Sequence, residues 1–203
     1  MEYVNNGLYI QDINKEHSML RDFLGTTLKQ YAGINRFFYP FFSEDEDEDF
    51  NRTYWKVHYS EPDADNMKQL YFFINDKNNA KKYIDMCKSR GISMRFLFVQ
   101  STYKDEIWNG NVPEGKFLGY EVDELASDPY TLMDLFGLNN ADLYRKYVAR
   151  LNEYALFETE EDAVAFKQEY ERDLAEGLIG DGDVDLYICK LYEISESEIE
   201  KVL

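Results

Sequence analysis

Three aspartates alternate in DGDVD, Asp181, Asp183 and Asp185, the pattern of oxygen ligands with which a calcium loop opens. Such a loop then needs glycine at its sixth position and a bidentate glutamate at its twelfth. Counted from Asp181 those positions are Leu186 and Tyr192, so the string reads as a polar turn entering a strand. The histidines are His17 and His58, too few for a three-histidine zinc site and in neither an HExxH nor an HxxEH context. His58 lies beside Glu61, Asp63 and Asp65, a grouping able to ligate manganese or move a proton, yet it also suits an exposed strand next to an acidic turn. No GxxxxGK[ST] loop and no GxSxG turn is present, and NGNVPEGKFLG fits no phosphate-binding spacing. With 40 acidic residues, no particular pair can be nominated for glycoside or phosphoryl chemistry. The expectation is a chain without metal or cofactor, less an enzyme than a binding protein.

Charge carries the stronger signal. The net charge is -18 on 203 residues, and it is unevenly placed. The stretch SEDEDEDF holds six consecutive acids, Glu44, Asp45, Glu46, Asp47, Glu48 and Asp49, directly behind the aromatic run RFFYPFF. A second concentration, Glu158, Glu160, Glu161 and Asp162, crowds the start of a helix, where the helix dipole favours negative charge. Residues 66–100 are instead basic, with Lys68, Lys77, Lys81, Lys82, Lys88, Arg90 and Arg95 against Asp76 and Asp85. An acidic excess of this size keeps an aromatic-rich chain in solution, repels the nucleic-acid backbone and anionic membranes, and steers basic partners. Tyrosines lie among the C-terminal acids, Tyr154, Tyr170, Tyr187 and Tyr192, and rings beside carboxylates are good inhibitor-interface chemistry.

These properties point to an acidic protein-binding inhibitor, of the immunity or counter-defence kind, that occludes a site on a basic partner protein. The candidate interaction residues are the six acids 44–49, Glu158, Glu160, Glu161, Asp162 and Tyr170. A DNA mimic is the first alternative, though it needs carboxylates spaced like phosphates along an elongated face. A metal-dependent enzyme with a carboxylate-lined cleft is the second.

The elements that must position these residues follow from periodicity. GLYIQDI, TYWKVHY, QLYFFIN, ISMRFLFVQ, KFLGYEVDEL and VDLYICKLYEI read as strands. SMLRDFLGTTLKQYAG, with Ser18 as its cap, and NDKNNAKKYIDMCKSRG read as helices stopped by Gly33 and Gly91. DPYTLMDLFGLNNADLYRKYVARLNEYALF holds two helices split near Gly137. The second, over 140–154, carries Leu143, Tyr147, Leu151 and Tyr154 on one side. Thr159 caps the next helix, with Asp162 where a capping box wants Glu or Gln, and Ser195 caps a short last one. The strand–helix–strand unit over 69–99 is long enough for a parallel crossover.

The fold expected is α+β, a mixed or antiparallel sheet with about five helices. A boundary near residue 112 separates an N-terminal α+β lobe, 1–112, with a basic middle, from an acidic α+β lobe, 113–203, the two packing as one domain or as separate small lobes. Both halves mix strands and helices, a likeness too loose to argue duplication from sequence. Cys87 and Cys189, about 100 residues apart, read as free structural thiols of a reducing compartment. With no signal-like N-terminus and no apolar run of spanning length, the sequence reads as a soluble cytoplasmic protein without a membrane partner.

Overall fold

The computed structural model describes residues 1–14, 31–34, 48, 50, 52–53, 73–74, 77–125, 141–179 and 185–203. The expected helix over 18–33 falls outside them for 18–30, as do the strand 54–59, His17, His58 and the helix before Gly137.

Four strands form one antiparallel sheet: β1 (Val4–Asp12), β2 (Met94–Ser101), β3 (Lys116–Asp123) and β4 (Tyr187–Ile194), in the order β1-β2-β4-β3. The helices are α1 (Lys77–Ser89), α2 (Ala141–Val148), α3 (Glu160–Ala175) and α4 (Glu196–Val202). The chain is therefore α+β, with four helices among the described residues. The central pair of strands joins the two halves of the sequence, because β2 pairs with β4 across the boundary near 112.

Alternation along the strands explains the layers, since successive side chains point to opposite faces. Leu8, Ile10, Phe96, Phe98 and Ile194 pack beneath α1 with Ala80, Tyr83, Ile84 and Cys87. Val122 and Ile188 pack beneath α3 with Ala163, Phe166 and Tyr170. Tyr9, Leu97, Val99, Cys189 and Leu191 face the other way, under Ala32, Ile34, Phe73 and Leu156. Both faces are covered, which is why β2 reads as a nearly continuous apolar run.

The halves repeat one another. β1 and β3 each carry a bulge, between Asn5 and Gly7 and between Phe117 and Gly119. The two glycines adopt nearly the same unusual conformation, φ 151° and 150°. One residue further on, Leu8 bridges Ile74 and Tyr120 bridges Phe157, both antiparallel on the outer side of the strand. Three residues past each bridge a helix begins, at Lys77 and at Glu160, and each leads into a strand of the central pair. Ala80, Tyr83 and Cys87 then occupy the same places relative to the bridge as Ala163, Phe166 and Tyr170. Gly7 pairs with Val99, Gly119 pairs with Leu191, and Val99 pairs with Leu191. A pseudo-two-fold axis thus passes through the Val99–Leu191 pair. Sequence did not reveal the repeat because few residue identities survive and the stretch between strand and bridge is much longer in the first half.

The expected parallel relation within 69–99 takes a particular form. Ile74 is antiparallel to β1 and β1 is antiparallel to β2, so Ile74 and β2 run the same way with β1 between them. Two expectations need correction. The helix over 140–154 ends at Val148, and it buries Tyr144 and Tyr147 while Leu143 is exposed. Leu151 and Tyr154 lie beyond it, and Leu151 bridges Phe157 instead. The capping expectations fare better: the Thr159 hydroxyl accepts from the Asp162 N–H at 3.1 Å and donates to its carboxylate at 2.9 Å. The Ser195 hydroxyl accepts from the Glu198 N–H at 3.3 Å.

Candidate interaction surfaces

The two acidic concentrations meet different fates. Glu44, Asp45, Glu46, Asp47 and Asp49 lie outside the described residues; Glu48 is exposed and paired with Arg52 at 2.6 Å. The segment is anchored just behind the run: Phe50 is fully buried with its ring 5.8 Å from that of Tyr83, and the Arg90 guanidinium sits 4.9 Å over it. Phe50, two residues past Glu48, thus packs against the basic helix α1.

At α3 the carboxylates are extensively engaged within the chain. Asp162 accepts from Arg150 at 2.8 Å, and Glu169 accepts from Lys146 and from the Tyr147 hydroxyl, each at 2.7 Å. Glu171 pairs with Lys167, while Asp173 takes Arg172 at 2.6 Å and the Tyr144 hydroxyl at 2.9 Å. Glu160 lies 3.8 Å from the N-terminal ammonium. Glu158 and Glu161 are exposed and have no ion-pair partner among the described residues. Tyr170 is corrected outright: it is only 6% exposed, locked in the α3 core against Tyr144 and Phe166, because it continues the stripe of Ala163 and Phe166.

Two of these ion pairs have a pH signature. The Glu169 carboxyl is held below its ordinary 4.5, first by the hydrogen bond from Lys146. Burial pushes the Asp173 carboxyl up, but hydrogen bonds from Arg172 and Tyr144 outweigh it and hold the group below its ordinary 3.8. Groups depressed in the folded state stabilise it above their unfolded values, and that contribution disappears as pH falls through the folded values. Glu169→Gln should thus melt below the wild type near neutral pH, with the gap closing as the pH drops beneath 4.5. Thermal melts of the two proteins from pH 7 to 3 (about that range) check it, and the comparison largely cancels the general effect of neutralising an acidic surface.

The other component is aromatic. Phe117 lies opposite Tyr192 across β3 and β4, with ring centroids 5.4 Å apart, and 5.1 Å from Tyr120. Phe117 and Tyr120 are three apart yet share a face because the bulge inserts Leu118 between them, turned into the core on the opposite side. Phe117 is 41% exposed. Beside this row the Lys190 ammonium sits 3.7 Å over the Tyr3 ring and 5.8 Å over that of Tyr120. Burial raises the phenols of Tyr3 and Tyr120, and Glu160 raises both further, with Glu161 also acting on Tyr120. The carboxylates at the start of α3 therefore lie within electrostatic reach of the aromatic row. Sequence reading found Glu160, Glu161 and Tyr192 but passed over Tyr3, Phe117 and Tyr120. Gly119 inside a strand pattern was the available signal, since a glycine there marks a bulge and shifts the parity of the face.

The candidates for other chemistry are placed as follows. Asp181 and Asp183 lie outside the described residues and Asp185 is exposed. Among the described residues no group of three or more His, Cys, Asp or Glu side chains is arranged to hold a metal ion. Cys87 and Cys189 are buried thiols with no disulfide between them, and burial pushes the Cys189 thiol well up. No helix among the described residues is long and apolar enough to cross a membrane.

Buried charge sits on the other face of the sheet. Glu121 accepts from the Ile34 N–H at 2.6 Å and the Tyr31 hydroxyl at 3.2 Å. Arg95 donates to Gln11 at 2.9 Å, to the Tyr31 carbonyl at 2.7 Å and to Glu193 at 3.1 Å. Both clamp the segment 31–34 to the sheet, an intramolecular use for one of the basic residues of 66–100.

No family model, no curated protein and no solved structure matches the chain, so its function has to be argued from these residues.

Proposed function

We propose that the chain is an acidic protein-binding inhibitor, of the immunity or counter-defence kind, that seats the acid–aromatic patch of Glu160, Glu161, Phe117, Tyr120 and Tyr192 on a functional site of a basic partner protein. The supporting observation is the exposed Phe117 held between Tyr120 and Tyr192, with Glu161, which has no ion-pair partner among the described residues, acting on Tyr120. The rings supply area to bury at little entropic cost, and the carboxylates steer a cationic partner into place. Lysine or arginine stacking on such rings already occurs within the chain, at Lys190 over Tyr3. The cytoplasm suits two thiols with no disulfide between them. A DNA mimic is less well supported. Lys146, Arg150, Lys167 and Arg172 interrupt the α3 carboxylates, whereas a phosphate-like array needs unbroken negative charge.

The test captures partners from a lysate on the immobilised chain at low salt and elutes them with rising salt, in parallel with Phe117→Ala and Glu161→Gln. A basic protein retained by the wild type should bind Phe117→Ala about 30-fold more weakly, the effect of losing an interface anchor worth about 2 kcal/mol. Glu161→Gln should mainly slow association at low salt. Full retention by Phe117→Ala would remove the patch from the interface. Neutralising 44–49 is expected to slow association and weaken its salt dependence. An unchanged association rate at low salt would restrict that run to keeping the chain in solution.

A further inference from the structure

The outer faces of α1 and α3 occupy equivalent places in the two halves, yet they carry opposite charge. On α1, Asn78, Lys81, Lys82, Asp85, Met86 and Ser89 line a shallow open recess. Carried over by the pseudo-two-fold, most of these positions fall on the corresponding recess of α3, lined by Glu160, Glu161, Val164, Ala165 and Gln168. α1 holds four lysines against the single acid Asp85, and α3 holds six acids against Lys167 and Arg172. Lys88 is paired with Glu196, but Lys77, Lys81 and Lys82 are exposed and have no ion-pair partner among the described residues. Three lysines without an ion-pair partner among the described residues, on a chain of net charge -18, form a local surface of the wrong sign for its own field. Only an acidic surface complements it.

We infer that two copies of this chain associate about a two-fold axis, the lysine face of α1 in each copy seated on the glutamate face of α3 in the other. A true two-fold lying parallel to the sheet brings both pairings together at once, because the internal pseudo-two-fold has already set the two helices at matching positions. The result is an isologous contact that closes at the dimer. The stems of Lys81 and Lys82 cover the half-buried Val164 and Ala165, while their ammonium groups reach Glu161. The general repulsion between two acidic molecules is screened beyond about 8 Å at physiological salt, and the contact itself joins opposite charges. This inference needs no second protein and leaves Phe117 untouched, but it engages Glu161, so the dimer and a basic partner compete for that carboxylate; Phe117→Ala, which weakens only the partner contact, separates the two readings.

Salt dependence alone does not test it, because salt weakens the general repulsion and the local attraction together. A charge exchange does. Lys81→Glu/Lys82→Glu makes both helix faces acidic, and Glu161→Lys/Gln168→Lys makes both faces basic. Circular dichroism confirms that each variant is folded, all four positions being on the surface. Sedimentation equilibrium should show a dimer for the wild type, a dissociation constant at least about tenfold weaker for each variant alone, and restored dimer in their equimolar mixture. A wild-type monomer at every concentration, variants that dimerise like the wild type, or a mixture that stays monomeric would each overturn the inference. Retention of nucleic acid or an acidic protein by Lys81 and Lys82 in a monomeric wild type would assign the face to that occupant instead.

Discussion

Gly119→Ala is expected to lower the unfolding free energy by about 2–5 kcal/mol, seen as a fall in the urea midpoint with an unchanged slope. Two costs add. At φ 150° an alanine is strained whatever space surrounds it. In addition, its Cβ would stand 2.7 Å from the Leu156 Cβ and 2.8 Å from the Phe157 carbonyl oxygen, both part of the segment that bridges Tyr120. Neither neighbour is the free end of a flexible side chain, so relief requires the segment to retreat from β3 and give up its paired hydrogen bonds of 2.9 and 2.8 Å. Gly7→Ala should behave similarly but more mildly, because the equivalent contacts are 3.0 Å to the Ile74 oxygen and 3.1 Å to the Phe73 Cβ. Gly91→Ala separates conformation from crowding: at φ 67° with nothing within 4 Å it should cost only about 1 kcal/mol. If Gly119→Ala proved as mild as Gly91→Ala, the bridging segment would be yielding and the repeated bulge would be a tolerance rather than a constraint.

The bulges also mark where sequence reading stopped working. β2 and β4 were legible because a buried antiparallel strand leaves a run of apolar residues, and ISMRFLFVQ and VDLYICKLYEI have it. The starts of α3 and α4 were legible because Thr159 and Ser195 satisfy backbone N–H groups locally, within three residues. Contacts that depend on which segment crosses a strand edge left no local trace. Phe117 and Tyr120 differ in parity, so alternation alone assigns them to opposite faces, and only the extra residue Leu118 reunites them. Tyr170 lies among acids in the sequence, which suggests an interface, but its helical spacing from Ala163 and Phe166 is that of the buried stripe. The periodicity over 140–154 misleads past Val148, where the helix ends and Leu151 bridges Phe157.

The pseudo-symmetry changes how the charge should be read. As a sequence, the molecule has a basic middle and an acidic end. As a structure, it has two matching half-sheets, each with one helix on the same face, and the charge difference falls on equivalent surfaces. At α3 the carboxylates separate into those paired with Lys146, Arg150, Lys167 and Arg172, and Glu158 and Glu161 at its start, which have no ion-pair partner among the described residues. Around α3 the acidic surface is therefore narrower than the composition implies, and the proposed contact draws on Glu161 near the exposed ring of Phe117.

Arg95→Met should cost about 3 kcal/mol, whereas Glu193→Gln should cost no more than about 1 kcal/mol, as read from urea unfolding of the two variants. The Arg95 side chain is 3% exposed and that of Glu193 is 38% exposed, so the visible ion pair between them is half in water and contributes little through its charge. The larger loss comes from neutral partners. Methionine fills similar space but leaves the Gln11 side-chain oxygen and the Tyr31 carbonyl without the guanidinium donors they now have at 2.9 and 2.7 Å, in a region closed by Ala32 and Ile34. Glutamine at 193 still accepts from the Arg95 Nε. Burial already draws the guanidinium below its ordinary value, with Glu193 acting in the opposite direction, yet arginine stays cationic throughout the accessible pH range. The ordering of the two variants decides what Arg95 does. A larger loss for Glu193→Gln would make the ion pair the principal interaction; the expected ordering makes Arg95 a hydrogen-bonding clamp that fixes residues 31–34 across the sheet, where Glu121 holds the same segment from β3.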